Sequence, residues 1–354
     1  MEKKDALLQI LQEAPDHVSG SELAGRLGVT RMSVWKYIQL LRAEGYAIEA
    51  VTNRGYRLSP DNDVITADGV QKALGSLAGQ FSLEVLPVCD STNQVLIDHA
   101  PGLPEWHVVI ARRQTAGRGR KGRNFFSLDG TGLYLSVLLR PWLPAADASL
   151  ITVAAAVAVC RAIDELAGVR TQIKWVNDIF LEQKKVCGIL TEASFDVETG
   201  TIGQAVLGVG INVTAPDAGF PLELSDTAGA VFAHRQKDMR NRMAAAFLRH
   251  FFWIYTQQDH AGFIEEYRSR SFLVGRKICV LHPDAPKPAR VLDVDERCRL
   301  LVQYPNGSQE ALSSGEVSVR LTPENGKKPA DGAGNNRVPE DDARKRQMPE
   351  DDAT

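Results

Sequence analysis

Seven consecutive residues, Gly117-Arg118-Gly119-Arg120-Lys121-Gly122-Arg123, constrain this chain more than any other stretch. They place four cationic side chains on a backbone that three glycines leave free to choose its path. Such a run handles phosphate, and its spacing satisfies both Gly-x-Gly-x-x-Gly and the first half of Gly-x4-Gly-Lys-[Ser/Thr]. Context excludes both familiar loops. A Walker loop needs Lys and then Ser or Thr after its last glycine, where this chain has Arg123 and Asn124. A dinucleotide fold needs the third glycine to open a helix, whereas Asn124-Phe125-Phe126-Ser127 leads towards the strand-like run 133–139. The loop is therefore expected to join two strands. Ordering seven residues costs about 1–2 kcal/mol each, and a charge-assisted hydrogen bond returns about 1.5–3 kcal/mol. Four basic groups roughly offset that cost only when an anion is present, so the loop is expected to act as a lid that closes over a bound, water-sensitive intermediate. A solvated basic loop or a nucleic-acid patch is the alternative for this segment alone.

At 354 residues the chain is long enough for two or three domains. Its net charge of -3 conceals an uneven distribution, with six Arg or Lys against two Glu across residues 26–57. Five cysteines, at 89, 160, 187, 279 and 298, form no Cys-x-x-Cys pair, so a reduced, cytoplasmic compartment is expected and a protein-held metal is not. The N-terminal residues lack the apolar core of a signal peptide, and no apolar stretch approaches membrane-spanning length.

Residues 3–13 carry one helical apolar stripe that Pro15 ends. Ser19-Gly20-Ser21-Glu22 fits a capping box, and Gly28-Val29-Thr30 a tight turn before a second helix expected to bury Val34, Tyr37, Ile38 and Leu41. A hairpin around Thr52-Asn53-Arg54-Gly55 follows as a wing. The pattern over residues 1–60 reads as a winged helix-turn-helix domain, with Arg31, Ser33, Lys36, Gln39 and Arg54 as its DNA-binding candidates. A helical module used only for packing or dimerisation is the alternative. Residues 59–63 read as a linker.

From 64 to 272 helices alternate with strands, the pattern of an α/β or α+β domain. Strands are expected at 83–88, 108–112, 133–139, 171–174, 185–192 and 205–213, and helices at 67–78, 92–99, 148–167, 239–256 and 261–271. Short apolar runs between 275 and 322 suggest a small β-barrel. Residues 323–354, with a repeated Pro-Glu-Asp-Asp-Ala, are expected to form a disordered acidic tail.

Five segments of the middle domain gather small polar groups, cations and glycines: Ser91-Thr92-Asn93, Gln114 with the basic loop, Lys174-Trp175-Val176-Asn177-Asp178, Lys185-Val186-Cys187-Gly188-Ile189-Leu190, and Gly208-Val209-Gly210-Ile211-Asn212. Singly, each has a plain structural reading as a helix cap, a turn or a close backbone approach. Their order resembles the biotin protein ligases: Ser-Thr-Asn, Gln-x-x-Gly-Arg-Gly-Arg-x-Gly-Arg, Lys-Trp-Pro-Asn-Asp, Lys-x-x-Gly-Ile-Leu and Gly-x-Gly-Ile-Asn. With the winged head the chain is similar, over about residues 5–321, to the bifunctional ligase-repressors of that family. Val176 stands where the family has proline.

The resemblance implies an α+β multidomain protein with a central catalytic domain like the class II aminoacyl-tRNA synthetases and an SH3-like C-terminal barrel. It implies ATP, biotin and Mg²⁺ as cofactors, and formation of biotinyl-5′-AMP followed by transfer to a lysine of a biotin carboxyl carrier protein. It also implies biotin-responsive repression at operator DNA by a homodimer of the adenylate-bound form. Biotin is assigned to Ser91, Thr92, Asn93, Gln114, Arg118, Gly119, Arg120, Lys185, Gly188 and Gly208. ATP and its phosphates fall to Gly117, Arg118, Arg120, Lys121, Arg123, Asn177 and Lys185, and catalysis to Arg120, Lys185 and Asp178. A transcription factor whose middle domain only senses a ligand, or a lipoate or octanoyl ligase on the related fold, are the competing readings.

Overall fold

The computed structural model describes residues 2–141, 143–196, 198–257, 261–281, 285–313 and 317–318. The expected acidic tail lies outside them.

The head forms from local signals. Helix α1 (Lys3–Glu13) precedes α2 (Gly20–Leu27), whose first turn is capped by Ser19 Oγ accepting from the Glu22 amide at 3.1 Å. Gly28, at φ 62°, ends α2 in the left-handed region that glycine enters without penalty. The Thr30 hydroxyl then caps α3 (Arg31–Ala43) by accepting the Ser33 amide at 3.2 Å. Leu7, Leu11, Leu23, Val34, Ile38 and Leu41 pack into a core separate from the rest of the molecule. Strands β1 (Ile48–Val51) and β2 (Gly55–Leu58) pair antiparallel as the wing.

The central domain comprises α4 (Ala67–Leu74), β3 (Ser82–Cys89), α5 (Thr92–His99), β4 (His107–Gln114), β5 (Gly132–Leu139), α6 (Ser149–Ala167), β6 (Gln172–Lys174), β7 (Asp178–Leu181), β8 (Lys184–Phe195), β9 (Ile202–Asn212), α7 (Met239–Thr256) and α8 (Ala261–Arg270). Its seven strands lie in the order β3-β4-β5-β9-β8-β7-β6, parallel between β3 and β4 and antiparallel elsewhere. Strand β5 is buried along its whole length. Period-two alternation sends Leu133, Leu135, Val137 and Leu139 to the core that holds α6 and α7, and turns Leu138 towards Leu96 of α5. Ser136 shares the face of Leu138, which is how a hydroxyl comes to be fully buried in an apolar strand.

Strand β7 is not among the strands expected from the sequence. The turn that follows it uses Glu182 and Gln183, at φ 48° and 65°, rather than the Gly, Asn or Asp that mark a hairpin in sequence. The C-terminal strands β10 (Lys277–Leu281), β11 (Pro286–Val294), β12 (Leu300–Gln303), β13 (Gln309–Leu312) and β14 (Val317–Ser318) form one antiparallel sheet in the order β13-β12-β11-β10-β14. Among the described residues no pairing joins β13 to β14, so closure of the expected barrel is not seen in them.

The segment expected as a linker is anchored at its end. Asn62 Oδ1 accepts from the Ala47 amide at 3.1 Å, and buried Asp63 pairs with Arg240 of α7 at 3.2 Å. Nearby, Arg112 of β4 donates to the Glu44 carbonyl at the end of α3 and pairs with Asp129 at 2.7 Å. The head therefore meets the core through named polar contacts.

Candidate active site

On the α5 side of the sheet a cleft opens between the N-terminus of α5, the basic loop and the strands β8 and β9. Its lining includes Ser91, Thr92, Asn93, Gln114, Arg118, Gly119, Arg120, Asn177, Lys185, Gly188 and Gly208, drawn from segments more than a hundred residues apart. Gly117, Lys121 and Arg123 do not line it, and Asp178 reaches it only through Lys185. A side chain at Gly117 would meet the Phe125 carbonyl and the Ser127 hydroxyl, so packing alone requires glycine there.

One end of the cleft is a network of neutral side chains that terminates on the Glu192 carboxylate. Gln114 Oε1 accepts from the Thr92 amide at 2.8 Å and its hydroxyl at 3.2 Å, while Gln114 Nε2 donates to Ser127 Oγ at 3.0 Å. Ser136 Oγ lies 2.7 Å from Thr92 Oγ1 and 2.5 Å from Asn93 Oδ1. Asn93 Nδ2 donates to Glu192 Oε2 at 2.8 Å and to the Leu190 carbonyl at 3.3 Å. Such buried groups satisfy one another because an unmatched polar atom costs about 1–3 kcal/mol. Gly208 of β9 makes room for Asn93, whose Oδ1 would overlap any Cβ at that position. Gly210 likewise admits the Phe125 ring, which forms the apolar wall.

Cations occupy the other end, and each holds a partner. Lys185 Nζ lies 2.6 Å from Asp178 Oδ1. Arg120 donates to Asn177 Oδ1 at 3.3 Å, and Asn177 Nδ2 donates to the Ile189 carbonyl at 2.7 Å. Arg118 lies 3.0 Å from Glu192 Oε1 and donates to Gln94 Oε1 at 2.8 Å. The basic loop does join two strands, β4 and β5, and folds back on itself through bonds from the Gly119 amide to the Arg123 carbonyl at 2.7 Å and from the Phe125 amide to the Gly117 carbonyl at 2.8 Å. The Trp175–Val176 peptide is cis. That turn is held by Tyr267, which donates to the Val176 carbonyl at 3.1 Å, and by Trp175 Nε1, which donates to the Cys298 carbonyl of the C-terminal domain at 2.8 Å. Burial pushes the Cys187 thiol well above its ordinary range, so it stays neutral and is no nucleophile.

Four residues at the cleft escape a reading of the sequence: Gln94, Phe125, Ser136 and Glu192. Only Ser136 leaves a clear signal, a lone hydroxyl inside the apolar run 133–139. In the head, Arg31 and Lys36 are exposed, Ser33 is half-buried and engaged with the Thr30 cap, Gln39 is half-buried, and Arg54 pairs with Asp16 at 2.8 Å. Met32, Trp35 and Leu40 are exposed on the same helix, which polarity-based reasoning does not bring out. No described helix is long and apolar enough to cross a membrane.

The chain also matches known proteins over all three folded regions. The biotin/lipoate A/B protein ligase family profile matches residues 85–212, a helix-turn-helix domain profile residues 3–57, and the biotin protein ligase C-terminal domain profile residues 274–320. The bifunctional ligase/repressor BirA of Bacillus subtilis is 38% identical over 229 residues, 64% of this chain and 69% of that protein. The Escherichia coli protein of the same name is 29% identical over 332 residues, 89% of this chain and 96% of its own length. A point mutant of the biotin protein ligase from Aquifex aeolicus, in complex with biotin, superposes with a TM-score of 0.57 at 25% identity, covering 68% of this chain and 98% of that one.

Proposed function

The chain belongs to the biotin protein ligase family, and from that premise we propose that its cleft condenses biotin with ATP and passes the biotinyl group to a lysine of a biotin carboxyl carrier protein. The observation that carries this reading is the joining, in one cleft, of a neutral hydrogen-bonding end to a cationic end.

Ser91, Thr92, Asn93 and Gln114 receive the ureido ring, and the Phe125 ring and the backbone at Gly188 and Gly208 flank the rest of biotin. A cyclic urea presents one acceptor and two donors, which a mixed set of hydroxyl and amide groups can match. In the first step a carboxylate oxygen attacks the α-phosphorus of ATP, and pyrophosphate leaves as the acyl phosphate bond forms. Two anions must meet, so Lys185, Arg118 and Arg120 lower their repulsion and follow the charge as it shifts. Gly119 lets the loop backbone approach the ligand, while Gly117, Lys121 and Arg123 shape and charge the lid. In the second step the carrier lysine attacks the acyl carbon, AMP leaves, and the amine loses a proton. Asp178, beside Lys185, and Asn177 lie where they can steer that amine or the nucleotide. Asp178, with Asn177 beside it, would be the group to hold Mg²⁺, which when bound would supply neutralisation of phosphate charge.

The winged head, residues 1–60, makes the protein a biotin-responsive repressor as well, with Arg31, Ser33, Lys36, Gln39 and Arg54 towards operator DNA. We further read residues 64–272 as a synthetase-like catalytic domain, residues 275–322 as an SH3-like module, and the adenylate-bound form as a homodimer. The free cysteines fit a reducing cytoplasm. Biotin-dependent exchange of labelled pyrophosphate into ATP tests the ligase reading, and its absence from purified wild type would overturn it. Operator binding and dimerisation that ignore biotin would overturn the coupling.

A further inference from the structure

Glu192 places a carboxylate beside a cleft that is to hold two anions. Its charge opposes both ligands unless it serves another purpose. It lies on β8, the strand that also supplies Lys185 and Gly188, and each of its oxygens has a different partner. Oε2 accepts from Asn93 Nδ2 at 2.8 Å, and Oε1 lies 3.0 Å from the Arg118 guanidinium. Asn93 is 3% exposed, and its second amide bond runs to the Leu190 carbonyl at 3.3 Å. With the amide reversed, Oδ1 would face a carboxylate and a carbonyl, neither of which can donate. The carboxylate thus determines which amide atom meets Ser136, and with it the donor and acceptor pattern of the neutral end. Through its other oxygen it holds Arg118 at the cationic end, where Arg118 also donates to Gln94 Oε1 at 2.8 Å.

We propose that Glu192 is a positioning residue for the ligase reaction, setting Asn93 for the ureido ring and Arg118 for the phosphates with one carboxylate. The assignment rests on the reading of the cleft as a biotin and ATP site. It explains why an acid belongs there and why Asn93 and Arg118, from α5 and the basic loop, are tied to the same side chain.

The test is pyrophosphate exchange by full-length wild type, Glu192→Gln and Glu192→Ala, with biotin and ATP varied separately and the melting midpoint of each protein recorded alongside. Glutamine keeps an acceptor for Asn93 and loses the charge that holds Arg118. Glu192→Gln therefore raises the KM for ATP about tenfold and leaves that for biotin within about twofold, whereas Glu192→Ala raises both about tenfold. A KM for ATP that falls in Glu192→Gln would mean that the carboxylate acts only as a repulsive charge, and overturns the proposal. So does a biotin KM unchanged in Glu192→Ala, or a loss of kcat that follows the melting midpoint with both KM values intact. If wild type shows no biotin-dependent exchange, the functional reading fails first and the assignment falls with it, an outcome seen before any variant is made.

Discussion

The two ends of the cleft solve opposite problems. At the neutral end Ser91, Thr92 and Asn93 are each 3% exposed, and the side chains of Thr92 and Asn93 lie in a chain of hydrogen bonds running through Gln114 and Ser136. At the cationic end the side chains of Arg118 and Lys185 are 43% and 35% exposed, each held by a carboxylate rather than by neighbours packed around it. A buried neutral socket can be built in advance because its polar atoms complete one another. An array of cations cannot be buried unpaired, so it stays partly exposed, each cation steadied by a polar neighbour that leaves other donors for an incoming phosphate. The hydroxyl and amide groups are thus set in place by one another, whereas the cations are held by a few partly exposed polar partners.

The largest effect expected from breaking this contrast is at the clamp. Arg120→Gly removes a cation that follows the developing charge, so the pyrophosphate exchange rate falls by about 10²–10³, and free biotinyl-5′-AMP appears in solution by chromatography because the lid no longer retains it. Next comes the socket. Gly208→Ala puts a methyl group where Asn93 Oδ1 lies, and overpacking of about 1–3 kcal/mol raises the biotin KM about tenfold or more with the ATP KM unchanged. A rise in both would show that the two ends are not separable. Ser136→Ala leaves Asn93 Oδ1 without its donor; calorimetry should find biotin binding weakened about fivefold, within the range of about 1–3 kcal/mol for an unmatched buried acceptor. The smallest effect tests the connection to the head. Arg112→Ala breaks the bonds to Glu44 and Asp129, and because such half-exposed pairs contribute about 0–1 kcal/mol, cleavage between residues 59 and 63 by added protease should quicken by no more than about fivefold, with exchange unchanged.

The same contrast governs how much of the molecule is legible in its sequence. Helices α1, α5 and α7 lie at the residues expected for them, α1 because its apolar stripe runs unbroken until Pro15. The glycines and cations of the cleft stand out because they occur together in a fixed order. Strand β13, Gln309–Leu312, gives no such sign, because two polar residues open a short edge strand that β-propensity does not favour. Glu192 and Gln94 are hidden for another reason: an acid on a half-buried strand and an amide on a helix look like solvated residues until folding sets Arg118 between them. The Trp175–Val176 turn shows a third limit, since its supports, Tyr267 and Cys298, lie about a hundred residues further along the chain.

The most direct test of the central claim is to incubate the purified protein with biotin, ATP and Mg²⁺, remove free ligand, and identify by mass spectrometry what stays bound. Biotinyl-5′-AMP is expected, formed only when both substrates are present and transferred when a carrier protein is added. Recovery of unreacted biotin alone, with no adenylate under any condition, would contradict that claim and leave a ligand sensor in its place.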